Sequence, residues 1–100
     1  MEVRFRTNEL QECYLHFRKA ARVLGNALAR KYIQRVNILR VVHNLHDLRE
    51  LPGLRCHPLK GERAGQWAVN LDRYNRLIFT RVAGSLEVIC IEEVSKHYDG

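Results

Sequence analysis

One hundred residues, 46% of them hydrophobic, are enough for one globular domain and too apolar for a disordered chain. Seventeen Lys and Arg against eleven Asp and Glu give a formal charge of +6 and a pI near 9.7, which favours an anionic partner: nucleic acid or an acidic protein. No apolar run approaches the roughly 18 residues of a membrane span, the opening MEVRFRTNELQE lacks the apolar centre of a signal peptide, and the three cysteines Cys13, Cys56 and Cys90 show neither a CxxC pair nor metal-ligand spacing, so the expectation is a cytoplasmic, reduced protein with no metal and no small-molecule cofactor.

Val3 and Phe5 alternate with Glu2, Arg4 and Arg6, a period of two that predicts a short strand over residues 2–6. Thr7 or Asn8 can cap a following helix, since either side chain accepts a bond from the free N–H groups of a first turn. That helix is expected to run to about Leu24, with Gly25 as its C-cap. A second helix should follow from Asn26 to about Asn44. On it Ala29, Tyr32, Ile33, Val36 and Leu39 form one stripe, while Ile38, Val41 and Leu45 fall nearly opposite. Two apolar stripes predict a helix packed between two surfaces: the sheet on one side, the first helix or a partner on the other. Leu45 to Leu51 reads as a terminal turn that Pro52 stops. His43 and His46 read as favourable groups at the helix C-terminus.

Past Pro52-Gly53 the period changes from helical to extended. Residues 55–59 are one strand candidate, and Gly61 to Gly65 a loop. Trp67, Val69 and Leu71 alternate with Gln66, Ala68 and Asn70. Asp72 to Asn75 is a turn. Residues 76–82 and 86–93 are apolar on both faces and should be central strands, joined by a tight turn at Ala83-Gly84-Ser85. The expected fold is α+β: βααβββ, an antiparallel sheet with two N-terminal helices on one face, spanning residues 1–100 as a single domain.

The stretch DLRELPGLRCHPLKGERAGQWAVNLDRYNRLIF, residues 47–79, resembles the RelE/ParE toxin superfamily, most closely its HigB or plasmid maintenance killer branch. That branch shows an LKG-x-x-AG-x-(W/Y) run, a short turn and a W-R-(L/I)-(I/V)-F strand, and the element order matches along nearly the whole chain. The resemblance implies the toxin of a type II toxin–antitoxin system, a ribosome-dependent endoribonuclease acting on mRNA. It implies as partners the ribosome and a cognate antitoxin, a small helix-turn-helix protein from the adjacent gene. The positions that carry activity in the family become His57, Lys60, Arg76 and His97 here. Members of the branch end in Asp-Tyr-His, whereas this chain ends Ser95-Lys96-His97-Tyr98-Asp99-Gly100.

The chemistry of these residue types agrees with that set. RNA cleavage by its own 2′-OH needs a base for the 2′ proton, a cation for the charge on the phosphorane and an acid for the leaving 5′ oxygen. Two histidines, a lysine and an arginine supply all three without a metal. Arg76 opens an apolar strand, where its planar fork is either half of an ion pair or a bidentate phosphate clamp. Arg63 and Arg73 stand in loops suited to RNA contact, Arg73 being also an alternative clamp, and Tyr98 can stack on a base or cover the sheet. The competing readings are a ParE-like relative that acts on DNA gyrase by protein contact, and an inactive basic binding module.

Overall fold

The computed structural model describes residues 1–96; His97, Tyr98, Asp99 and Gly100 lie outside the described residues. The chain opens with β1 (Glu2–Phe5). The helices α1 (Asn8–Leu15), α2 (Phe17–Leu24), α3 (Asn26–Val41) and α4 (Leu45–Glu50) follow, then the strands β2 (His57–Pro58), β3 (Gln66–Asn70), β4 (Asn75–Arg81) and β5 (Val88–Lys96). This is the expected α+β class. The strand order is β1-β5-β4-β3-β2, which makes β4 and β5 interior strands as their two-sided apolarity requires.

Local chemistry accounts for most boundaries. Thr7 caps α1, its hydroxyl accepting from Leu10 N–H at 3.2 Å. Gly25 ends α2 at φ +85°, a backbone angle that only glycine adopts freely. Along α3, Ala29, Tyr32, Val36 and Leu39 are fully buried and Ile33 is half-buried. These side chains meet Val69, Leu77, Phe79, Ile89 and Ile91 from one face of the sheet. Burying each large side chain there contributes roughly 1.5–3 kcal/mol. Tyr32 satisfies its buried hydroxyl by donating to the Leu10 carbonyl at 2.7 Å, which ties α3 to α1.

Four details differ from the sequence expectation. The first helix is two helices, because His16 is extended (φ −132°, ψ 105°) and serves both as C-cap of α1 and N-cap of α2. No proline or glycine marks that break. The second helix stops at Val41 rather than Asn44. Leu45 therefore belongs to a separate helix, α4, which Asn44 caps by accepting from Asp47 N–H, and His46 sits in its first turn, not at a helix C-terminus. The strand expected over 55–59 pairs only at His57 and Pro58. Finally, the sheet is mixed: β2 to β5 run antiparallel, but β1 lies parallel to β5, since the helices carry the chain back over the sheet before β5 joins.

Candidate active site

Cross-strand pairing places the candidate side chains. His57 pairs with Ala68, Ala68 with Ile78, and Ile78 with Glu93. Directly paired residues point to the same side of a sheet, so these four form one row. Asn70, Arg76 and Ser95 form the next row along. Both rows lie on the face turned away from the helices, because the alternate residues Trp67, Val69, Leu77, Phe79 and Val94 are those in the helix-covered core. His57 and Arg76 are thus brought to one open face. They stand two strands and two residues apart, roughly 12 Å between Cα atoms at ~4.8 Å per strand and ~3.4 Å per residue. Ala68, fully buried, lies between them.

The His57 ring is oriented by its own backbone. Arg55 adopts φ +50°, left-handed and unusual for a side-chain-bearing residue, and its carbonyl comes within 2.6 Å of His57 Nδ1. A carbonyl can only accept, so Nδ1 donates to it and Nε2 is the ring nitrogen left for other contacts. Next to it, burial pushes the Cys56 thiol up to about 11 against the opposing charge of Arg49, so Cys56 stays protonated and unreactive at neutral pH.

Arg76 is half-buried, and its Nε is fully buried with no hydrogen-bond partner among the described residues. No ion pair involving Arg76 exists among them either. A buried donor without a partner costs about 1–3 kcal/mol. Among the described residues the half-pair alternative therefore finds no acid. Lys60 is exposed just ahead of the short 3-10 turn Gly61–Arg63, without a partner among the described residues. His97 and Tyr98 fall outside the described residues.

Arg63 is committed elsewhere. Its Nη1 donates to Gln66 Oε1 at 2.9 Å and lies 2.7 Å from Glu93 Oε1. Gln66 is on β3 and Glu93 on β5, so the guanidinium bridges across β4 on the open face. Arg73 stands in the turn before β4, its guanidinium 5.5 Å from the Tyr74 ring centroid. Sequence reasoning missed Glu93 because a bulge between the Ile78 and Phe79 pairings leaves Glu92 as an extra residue. Strict alternation from Ile89 and Ile91 would send residue 93 into the core. The bulge reverses the phase, so Val94 faces the core and Glu93 the open face. The displaced Glu92 accepts from Thr80 at 2.7 Å and pairs with Arg6 at 2.8 Å.

An apolar cleft of about 660 Å³ lies on the helical side, not on this face. It follows the outer surface of α3 past Ile33, Ile38 and Val41, with Phe17 and Leu51 at its borders. Val41 is 85% exposed. This is the second apolar stripe expected of α3, with Leu45 withdrawn from it into the core.

No protein-family model matches the chain, and no curated protein matches it in sequence. Solved structures do match. A YoeB/ParE toxin from Agrobacterium tumefaciens superposes with a TM-score of 0.62 at 16% identity, over 98% of this chain and 100% of that one. A YoeB-YefM complex from Staphylococcus aureus gives 0.61 at 17% identity, over 98% of each chain. A YafQ mutant from E. coli gives 0.59 at 14% identity, over 96% of this chain and 92% of the other. At such identities the likeness is one of architecture: the chain has the α+β fold of the RelE-like toxins represented by YoeB, ParE and YafQ structures.

Proposed function

We propose that this chain is the toxin of a type II toxin–antitoxin pair and a ribosome-dependent endoribonuclease that cuts mRNA. The observation that carries the reading is Arg76, a guanidinium fixed on the open face with a buried Nε that the described protein does not satisfy. A phosphate seated there would supply the missing acceptor. In the reaction the 2′ oxygen attacks the adjacent phosphorus, the O2′–P bond forms and the P–O5′ bond breaks, leaving a 2′,3′-cyclic phosphate and a 5′ hydroxyl. Arg76 and Lys60 offset the charge that gathers on the phosphorane. His57, held through Nδ1, takes or returns a proton at Nε2. His97 supplies the opposite transfer, by resemblance to the family. Assignment to the HigB branch rests on the run over residues 47–79.

The partner belongs to the same reading. From Phe17 to Val41 the sequence holds Arg18, Lys19, Arg22, Arg30, Lys31, Arg35 and Arg40 and not one acidic residue. The apolar cleft of α3 lies within this basic layer. An acidic, amphipathic segment of the antitoxin fits both features, apolar side chains in the cleft and carboxylates around it. A YoeB-YefM complex among the structural relatives agrees with such pairing. Docked there, the antitoxin leaves Arg76 uncovered and acts by bulk, keeping the toxin out of the ribosome.

Purified chain incubated with programmed ribosomes and with the same message free in solution tests the reading. His57, Lys60 and Arg76 are few groups, so much of the geometry must come from RNA already held in place. Fast cleavage on the ribosome and slow cleavage of free message are expected. Equal rates would remove the ribosome from the account, and inhibition of DNA gyrase without RNA cleavage would replace it.

A further inference from the structure

The β3–β4 turn is built more firmly than a surface hairpin of its length needs. Leu71 N–H and Asp72 N–H both donate to the Asn75 carbonyl, at 3.0 and 3.2 Å. Asp72 Oδ1 in turn accepts from Tyr74 N–H and Asn75 N–H, each at 2.8 Å, and from Asn75 Nδ2 at 3.0 Å. Partial burial pushes the Asp72 carboxyl upward, but these hydrogen bonds, with the charge of Lys31, outweigh it and hold the group below its ordinary value. The turn is therefore locked by an ionised side chain at neutral pH.

What the turn presents is an aromatic ring. Tyr74 is 60% exposed, whereas Tyr32 is fully buried and Trp67 and Tyr14 are largely covered. Arg73 lies 5.5 Å from the ring centroid and backs the ring with a positive charge. The Tyr74 hydroxyl has no partner among the described residues. A lone exposed aromatic is ordinary on a protein surface. This one differs in its place: it stands at the end of the turn two residues before Arg76, whose Nε has no hydrogen-bond partner among the described residues. An exposed aromatic ring and a cation this close in the chain offer the two contacts of one nucleotide unit, one for a flat base and one for its phosphate.

We propose that Tyr74, backed by Arg73, is the stacking platform for the unpaired base that adjoins the phosphate held at Arg76. The inference rests on the ribonuclease reading and adds a recognition element to it. Every base has a π-face, so the platform accepts any of the four, with purines favoured by their larger area. Arg73 meets the flanking phosphate as well as the ring, which makes this contact sensitive to salt. The hydrogen-bonded turn already fixes the backbone that carries the ring, so little of the chain must be ordered when a base arrives. A base paired in a duplex has no free face, which restricts the contact to single-stranded message.

The test is cleavage of message on programmed ribosomes under single-turnover conditions by the full chain and its Tyr74→Ala, Tyr74→Phe and Arg73→Ala variants. Each is checked for an unchanged melting temperature. The messages carry a single abasic residue beside the cleaved bond, on one side or the other. Tyr74→Ala is expected to lower the apparent second-order rate about 5- to 150-fold, the range for loss of one stacked base. Tyr74→Phe should stay within about twofold of the parent if stacking is the whole contribution. One abasic message should slow the parent by the same factor and slow Tyr74→Ala no further. A Tyr74→Ala variant as active as the parent, or one that still suffers the full abasic penalty, overturns the platform while leaving the nuclease intact. A parent chain that cuts no RNA overturns the ribonuclease reading itself.

Discussion

The helical layer and the open face of the sheet are chemically unlike. The stretch from Phe17 to Val41 carries seven basic and no acidic residues around an apolar cleft. On the open face Arg63 is paired with Glu93, and Arg76 stands without an acid among the described residues. Outside the stretch from Phe17 to Val41 the remaining ten basic and eleven acidic residues nearly cancel. The net charge of the protein is therefore a property of its helices. A high pI in a small nuclease invites the thought that the charge gathers substrate at the site. Here the excess charge lies on the helical side, away from the face that holds His57 and Arg76.

The sharpest way to break the comparison is Arg76→Ala. If the open face acts through single groups, cleavage on ribosomes should fall on the order of 10²–10³-fold, about 3–4 kcal/mol of transition-state stabilisation. Thermal stability should hold or rise slightly, because the substitution removes a buried donor without a partner. A folded Arg76→Ala protein with full activity would end the clamp assignment.

The converse substitution is Val41→Asp in the cleft of α3. Val41 is 85% exposed, so the fold should tolerate the change. Affinity for the antitoxin should fall about 10- to 30-fold, or about 1.4–2 kcal/mol, with ribosomal cleavage by the free toxin unaltered. Titration calorimetry of the two chains, repeated at raised salt, separates the apolar contribution from the screened one. Cleavage that falls in step with antitoxin affinity would mean the two surfaces are not independent.

The smallest effect concerns the bulge. Hydrogen bonding from Arg6 holds the Glu92 carboxyl below its ordinary value; burial opposes this and the Thr80 hydroxyl adds to it. A carboxyl whose folded value is depressed contributes stability that is present above its unfolded value near 4.5 and is lost as pH falls through the folded one. Glu92→Gln should therefore cost more stability at pH 7 than near pH 3. Arg6 is well exposed, so the difference should stay below about 1 kcal/mol. Urea unfolding of both proteins at the two pH values measures it.

The features legible in the sequence were those carried by strong local periodicity. Period-two alternation marked β1 and β3, two-sided apolarity marked β4 and β5 as central, and the Ala29-to-Leu39 stripe marked the buried side of α3. The resemblance of residues 47–79 to the RelE/ParE superfamily brought His57, Lys60 and Arg76 to notice, and their chemistry agreed with it. What stayed hidden depends on contacts between distant segments. The extended His16 has no local signature, and nothing near Glu2 announces that its strand will lie parallel to Val88–Lys96. The bulge at Glu92 turns the alternation of β5 over, so the carboxylate that holds Arg63 was indistinguishable from a solvated surface acid. The Asp72 lock on the Tyr74 turn involves neighbours only, yet its sequence, Leu71-Asp72-Arg73-Tyr74-Asn75, reads simply as a turn.

The parallel pairing of β1 with β5 has a consequence for how the molecule comes into being. The strand that unites the sheet, flanked by β1 on one side and β4 on the other, is the last of the five to be synthesised. While Val88–Lys96 is still inside the translating ribosome, β1 has no neighbour, β4 is an edge, and the core lacks Ile89 and Ile91. Contacts between segments some 86 residues apart, such as Glu2 with Val88, must then close over the whole intervening chain. The helices and the β3–β4 hairpin can form early, but the open face is not assembled until translation of β5 is complete. The five-stranded sheet that holds His57 and Arg76 therefore closes only after β5 has left the ribosome.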